Sequence, residues 1–162
     1  VMCLKKLKLG NSKLSNKKMI LISHRGNISG RKPEDENKPE YILIAVEQGY
    51  NCEIDVWYTK GQRYLGHDNP KYRIEFGFLK SNKLWCHAKN LQALQHLLKN
   101  NIHCFWHQKD DYTITSKGII WAYPGKLLSH NSICVMPEYV NEKIEGIDIC
   151  AGVCSDIIGE FK

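Results

Sequence analysis

The sequence predicts an α/β fold assembled from parallel β/α units, and three observations carry that expectation. Strand-like and helix-like runs alternate along the chain, which favours β/α units over a sandwich. Two of the strand-like runs divide cleanly into an apolar and a polar face. With 162 residues, 43% of them hydrophobic and 10% aromatic, the chain is one domain with enough apolar material for a real core, not a disordered or collagen-like polymer.

The first strand is the apolar run 19–23, which ends in polar His24, Arg25 and Gly26. Residues 41–46 are apolar on all sides, preceded by Pro39 and closed by Gly49, and read as a buried helix with proline near its first turn. Residues 52–58 and 83–89 are strands. In the first, Cys52, Ile54 and Val56 point one way and Glu53, Asp55 and Trp57 the other. In the second, Leu84, Cys86 and Ala88 oppose Trp85, His87 and Lys89. Asn90 then caps a helix with Leu91, Leu94, Leu97 and Leu98 on one face, ending near Asn100 and Asn101. Further strands are expected at 102–107, 118–123, 132–136 and 152–156, and a helix around 137–145.

The formal net charge of +6 is local. Of 23 lysines and arginines, six fall in residues 1–18, which hold no acid, so the remaining 17 basic residues equal the 17 acidic ones. Residues 1–18 are expected to form a solvated basic arm, and residues 19–162 a neutral domain. Lysines break every apolar run of the arm, which argues against an export signal, and Gly10, Asn11 and Ser12 end any membrane-surface helix early. No aromatic residue is interleaved for base stacking, so no nucleic-acid partner is expected. No run of about 18 apolar residues is present to span a membrane. The seven cysteines are scattered without a CxxC pair and are expected to be reduced core residues, which favours a cytoplasmic setting.

Candidate chemistry concentrates at strand ends. Glu53 and Asp55 share one strand face, with about 6–7 Å between their Cα atoms, and burying both is costly unless a cation sits between them. Hard cations take such oxygen ligands. Polar inner and apolar outer faces suit a barrel with helices outside and a site at the strands' C-terminal ends. The same alternation equally fits a half-exposed antiparallel sheet whose polar face meets water. A zinc site of Cys86, His103, Cys104 and His107 is disfavoured, because four residues along a strand place the two histidines about 13 Å apart. Phe105, Trp106, Trp121 and Tyr123 are expected to pack the interior or wall a pocket.

Six short segments, ISHRG (22–26), Glu36 with Asn37, EQG (47–49), EIDV (53–56), YTK (58–60) and GHD (66–68), resemble in order and spacing the glycerophosphodiester phosphodiesterase family of TIM-barrel phosphodiesterases. CHAKN (86–90), IIWAYPG (119–125) and VCSDII (153–158) extend the resemblance more loosely, so that it covers nearly all of 19–158. It implies a short, divergent member. A full barrel takes about 250 residues, so the 144 residues left after the 18-residue arm imply a reduced or incomplete TIM-type β/α barrel. About seven strands are expected, some outer helices missing, and residues 69–82 only a brief loop.

The resemblance also implies roles. His24 and His67 are the catalytic pair, one taking a proton from the attacking hydroxyl and the other protonating the leaving alkoxide. Glu53 and Asp55 are metal ligands, joined by His87 where the family usually has glutamate. The implied cofactor is a divalent ion, Mg²⁺ foremost, with Mn²⁺, Ca²⁺ and Zn²⁺ as alternatives; imidazole in place of a carboxylate disfavours Ca²⁺. Arg25 and Lys89 hold phosphate oxygens, and Glu36, Trp85 and Trp121 border the site. The implied reaction is hydrolysis of a small phosphodiester, such as a head-group diester of lipid metabolism, through attack by a neighbouring hydroxyl and opening of a cyclic phosphate. The other reading is a non-catalytic module binding a phosphorylated small molecule, motivated by His87 and the short chain.

Overall fold

The computed structural model describes residues 18–162. The arm expected over 1–18 lies outside the described residues except for Lys18, which is exposed. In chain order the elements are β1 (Ile20–His24), α1 (Pro39–Glu47), β2 (Asn51–Thr59), β3 (Gln62–Leu65), β4 (Tyr72–Ile74), β5 (Leu84–Ala88) and α2 (Leu91–Lys99). β6 (Cys104–Phe105), β7 (Tyr112–Ile114), β8 (Ile120–Ala122), β9 (Ser132–Val135) and β10 (Gly152–Ser155) follow, with 3-10 turns at Phe76–Lys80, Pro137–Tyr139 and Ile158–Phe161.

Seven strands form a parallel row in the order β6-β5-β2-β1-β10-β9-β8. β3 and β4 form a hairpin that pairs antiparallel with the far half of β2, and β7 pairs antiparallel with β8. The row curls. Ile22, Trp85, Phe105, Trp121, Ile133 and Cys154, from six of the seven parallel strands, form one buried cluster. Phe105 and Trp121 belong to opposite ends of the row, yet their rings lie 4.6 Å apart. Among the described residues no ladder joins β6 to β8. The seam is held instead by Ser116 N–H donating to the Cys104 carbonyl at 2.7 Å and the Thr113 hydroxyl to the Trp106 carbonyl at 2.8 Å. The architecture is a mixed α/β fold with a curled, incomplete barrel.

The alternation expected in β2 and β5 sorts the layers. Cys52, Ile54, Val56, Leu84, Cys86 and Ala88 pack outward against Ile42 of α1 and Ala93 and Leu97 of α2. Leu97 is fully buried there, so truncating it to alanine would cost about 2–5 kcal/mol. Pro39 starts α1 with its φ already helical, and the Asn90 side chain starts α2 by accepting the Ala93 N–H at 2.9 Å. Over β8, β9 and β10 no α-helix of the described residues covers the outer face. Leu128, Ile144 and Ile158 from loops and the last turn cover Ala122, Cys134 and Val153 instead. The six cysteines of the described chain are free and buried. Among the described residues no helix is long and apolar enough to cross a membrane.

Several expectations need correction. α1 is not buried all round: Leu43 and Ile44 are 47% and 48% exposed, because a helix lying on one sheet face buries one stripe. On α2 the inward stripe is Ala93 and Leu97, while Leu91 and Leu98 face solvent. The helix expected over 137–145 is a single 3-10 turn. It ends at Tyr139, where Val140 turns extended (φ −107°, ψ 119°), with Glu138 engaged by Ser155 and the Asp156 N–H. Residues 69–82 are more than a loop, since they contain β4 and a 3-10 turn. β3, β4 and β7 are strands that the sequence pattern does not announce.

Candidate metal and phosphate site

The C-terminal ends of the parallel strands converge on one cluster of charged side chains. β1 ends at His24, followed by Arg25 in a left-handed backbone conformation (φ 55°). β2 contributes Glu53 and Asp55, β5 contributes His87, and Lys89 follows just beyond it. Register does the assembling: His24 stands opposite Glu53, and Asp55 opposite His87. Adjacent strands lie about 4.8 Å apart, so these side chains meet.

Both acids are buried, Glu53 at 2% and Asp55 at 0% exposure. Asp55 Oδ2 receives Asn37 Nδ2 at 2.8 Å and lies 2.8 Å from Arg25 Nε. Asn37 also accepts the Asp55 backbone N–H at 2.9 Å, so one side chain fixes both ends of the aspartate. Asp55 Oδ1 lies 3.2 Å from His87 Nδ1 and 3.4 Å from Lys89 Nζ. Burial alone would raise the Asp55 carboxyl, but His87, Arg25 and Lys89 hold it well below the usual carboxylate range.

His87 Nε2 donates to the His107 carbonyl at 2.9 Å, which leaves Nδ1 facing Asp55 and, at 3.7 Å, Glu53. A bare nitrogen lone pair against two carboxylates is repulsive, so that position calls for a proton or a metal ion. Burial pulls the imidazole down, yet Asp55 and Glu53 bring its pKa up to about 9. Glu53 Oε2 and Asp55 Oδ1 are buried without a hydrogen-bond partner. Glu53, Asp55 and His87 offer donor atoms that all lie within 4.8 Å of one another, and this cluster could hold a metal ion. Glu53 Oε2, without a hydrogen bond, and Asp55 Oδ1, with only its ionic contacts to His87 and Lys89, fit a cation.

His24 is held from the other end of the chain. Its Nδ1 lies 2.8 Å from Asp156 Oδ1, just past β10, and its Nε2 faces Glu53 at 3.8 Å. An aspartate acceptor assigns a proton to Nδ1 and turns Nε2 toward Glu53. Asp156 also accepts from Asn27 Nδ2 at 2.7 Å and from the Tyr139 hydroxyl at 2.9 Å, while its backbone N–H donates to Glu138 at 2.8 Å. Burial would raise Asp156, but His24, Asn27 and Tyr139 outweigh it and keep the carboxyl low. Glu36 joins this network to the loop after β1, accepting from Asn27 at 3.1 Å and Arg31 at 2.9 Å and lying 3.3 Å from Arg25.

His24, Arg25, Glu53, Asp55, His87 and Lys89 therefore lie in one cluster, bordered by Glu36 through Arg25. His67 is set apart: it is exposed, with Nδ1 2.6 Å from the Asp68 carboxylate. It stands on the wall of an adjoining cleft of about 210 Å³ that Arg25, Glu36 and Asn37 also line. Trp85 and Trp121 belong to the buried interior cluster. Their rings lie 5.9 Å apart, and Phe105 stacks beneath His87 at 5.1 Å. The zinc grouping does not form: Cys86 and Cys104 pack in the outer layer while His103 leans on Trp85.

The network residues Asn27, Asn37, Glu138, Tyr139 and Asp156 were missed from sequence. Asn37 and Asp156 carried a usable signal, since both lie in segments of the resemblance and Asp156 closes an expected strand. No protein-family model matches the chain, and it matches neither curated proteins nor solved structures. Fold and site define a mixed α/β protein with a candidate metal cluster at the C-terminal mouth of a mainly parallel, curled sheet.

Proposed function

We propose that the protein is a metal-dependent phosphodiesterase of the glycerophosphodiester type, built on a reduced TIM-type β/α barrel. The observation that carries this reading is the cluster of Glu53, Asp55 and His87, two buried carboxylates and an imidazole with donor atoms within 4.8 Å of one another, ringed by His24, Arg25 and Lys89. It is supported by the position of the cluster at strand C-terminal ends, where β/α barrels carry their sites.

A divalent cation held by Glu53, Asp55 and His87, Mg²⁺ foremost, would supply charge stabilisation to the phosphoryl oxygens. Arg25 and Lys89 orient the phosphate and offset the charge that builds on it. His24, with Nδ1 tied to Asp156, takes the proton of a neighbouring substrate hydroxyl at Nε2. That oxygen bonds to phosphorus, the bond to the leaving alcohol breaks, and His67 gives the departing alkoxide its proton. Water then opens the cyclic phosphate, with the two histidines exchanging roles.

The test is ³¹P NMR of glycerophosphodiesters incubated with the protein and Mg²⁺, Mn²⁺, Ca²⁺ or Zn²⁺ in turn. Cyclic phosphate and monoester should form, and His24→Ala and His67→Ala should each abolish both. Turnover that survives both substitutions overturns the assignment. No turnover with any of these metals favours a non-catalytic module that binds a phosphorylated small molecule.

A further inference from the structure

The cleft beside the cluster has a chemistry of its own. It opens between the loop after β1 and the turn after β3, and its lining includes Arg31, Asn37, His67, Asn69 and Lys71, with Pro33 the one clearly apolar side chain among the described residues. No tyrosine, tryptophan or phenylalanine of the described residues lines it. Its walls are pinned. Asn37 is bonded twice to Asp55, and Arg31 Nε is tied to Glu36. On the far side, Gly66 N–H donates to the Asp55 carbonyl at 3.1 Å, and Trp57 Nε1 donates to the Gly66 carbonyl at 2.7 Å. The turn then closes through Lys71 N–H on the Leu65 carbonyl at 2.9 Å. Gly66, at φ +147°, admits no side chain, because a Cβ there would collide with the Asn69 carbonyl oxygen.

The charges in this cleft do not cancel. Glu36 is engaged by Arg25, Arg31 and Asn27, and Asp68 is engaged by His67. Lys71 makes no ion pair among the described residues; its Nζ lies 4.9 Å over the Tyr72 ring. The terminal nitrogens of Arg31 take no part in the Nε contact that anchors it. Among the described lining residues Lys71 is therefore the cation without a counter-charge, and Arg31, though paired with Glu36, keeps its terminal nitrogens for a ligand. A quaternary ammonium group needs aromatic faces, and an acyl chain needs an apolar wall. The apolar groove of the molecule is no substitute: Ile120 and Ser132, which line it, begin their strands at the end opposite the site.

We infer that this cleft seats the alcohol portion of the ligand, and that it selects an alcohol carrying an anionic group of its own, held by Lys71 and Arg31. The word alcohol rests on the phosphodiesterase reading, but the preference can be measured without turnover.

The experiment is calorimetric titration of the full chain with two phosphomonoesters, 3-phosphoglycerate and phosphocholine, each with and without Mg²⁺. The first should bind about tenfold or more tightly, and Lys71→Glu and Arg31→Gln should each bring the ratio close to one. Lys71 and Arg31 are exposed, so neither change threatens the fold. Equal binding, a preference for phosphocholine, binding of neither probe, or a preference that survives both substitutions overturns the inference. The ³¹P assay reports separately: absent turnover with an intact preference defeats the enzyme reading and leaves the cleft's selectivity standing.

Discussion

His24 and Asp156 lie 132 residues apart in the chain, yet their side chains meet at 2.8 Å. The contact exists because β1 and β10 are neighbours in the parallel row, with Ser23 opposite Ser155. Asp156 makes no hydrogen bond to Glu53, Asp55 or His87; its contact with this side of the site is the imidazole it orients.

On the phosphodiesterase reading, Asp156→Asn should lower turnover by about 10²–10³-fold while changing KM much less, as expected when a histidine is held in the wrong tautomer. Steady-state kinetics on a glycerophosphodiester checks this. A variant that loses KM and keeps kcat would show that the aspartate serves binding instead.

The candidate metal cluster gives a second prediction. Glu53→Gln and Asp55→Asn should each weaken divalent-ion binding strongly, and imidazole in the ligand set should leave Ca²⁺ weaker than Mn²⁺ or Zn²⁺. Calorimetric titration of each ion reads both effects, and Ca²⁺ as the tightest binder would refute the second. Without metal, Asp55→Ala should also cost about 3–5 kcal/mol, since it leaves Arg25, His87 and Lys89 facing one another without their shared counter-charge. Urea denaturation in chelator measures that loss.

His103 supplies a pH dependence remote from the metal cluster. It leans on Trp85 at 4.3 Å, and its Nε2 is buried without a partner. Burial, with Lys117 adding to it, takes its pKa down to about 4. The unfolded chain, near 6.5, binds that proton more readily, so the stability contribution is present above about pH 6.5 and is lost as pH falls toward 4. The loss should be on the order of 2 kcal/mol. Urea midpoints measured from pH 7 to pH 4 should fall less steeply in His103→Phe than in the unaltered chain.

Asn90 does more than cap α2. Besides accepting the Ala93 N–H, it donates to the Tyr58 carbonyl at 2.9 Å and accepts the Tyr58 N–H at 3.3 Å, joining the helix to the end of β2. Asn90→Ala should cost about 2–3 kcal/mol, above the ~1 kcal/mol of a simple cap. Asn90→Asp keeps the acceptor and should lose less. Thermal denaturation of the two variants separates cap from bridge.

What the sequence made legible was the part governed by strict alternation. Cys52, Ile54 and Val56 against Glu53 and Asp55 require two unlike faces, and β2 and β5 deliver them. Asn90 and Pro39 announced their helices because capping is local chemistry. β3 and β4 were hidden because Gln62, Arg63 and Tyr64 show no apolar face, their pairing coming from the length of β2. The helix expected after Pro137 failed for a long-range reason. Glu138 is engaged by Ser155 and the Asp156 N–H, a contact that no local pattern reveals. Asp156 itself became visible as part of the site only when β10 was placed beside β1.

That placement bears on how the protein is made. A ribosome releases β1, β2 and β5 early, and with them every residue of the metal cluster, whereas β10 is the last of the ten strands to emerge. Until it docks, β1 has an empty flank and His24 has no Asp156. A nascent chain can thus bring Glu53, Asp55 and His87 together well before His24 is aligned, and that side chain takes its orientation against Asp156 only once β10 is in place.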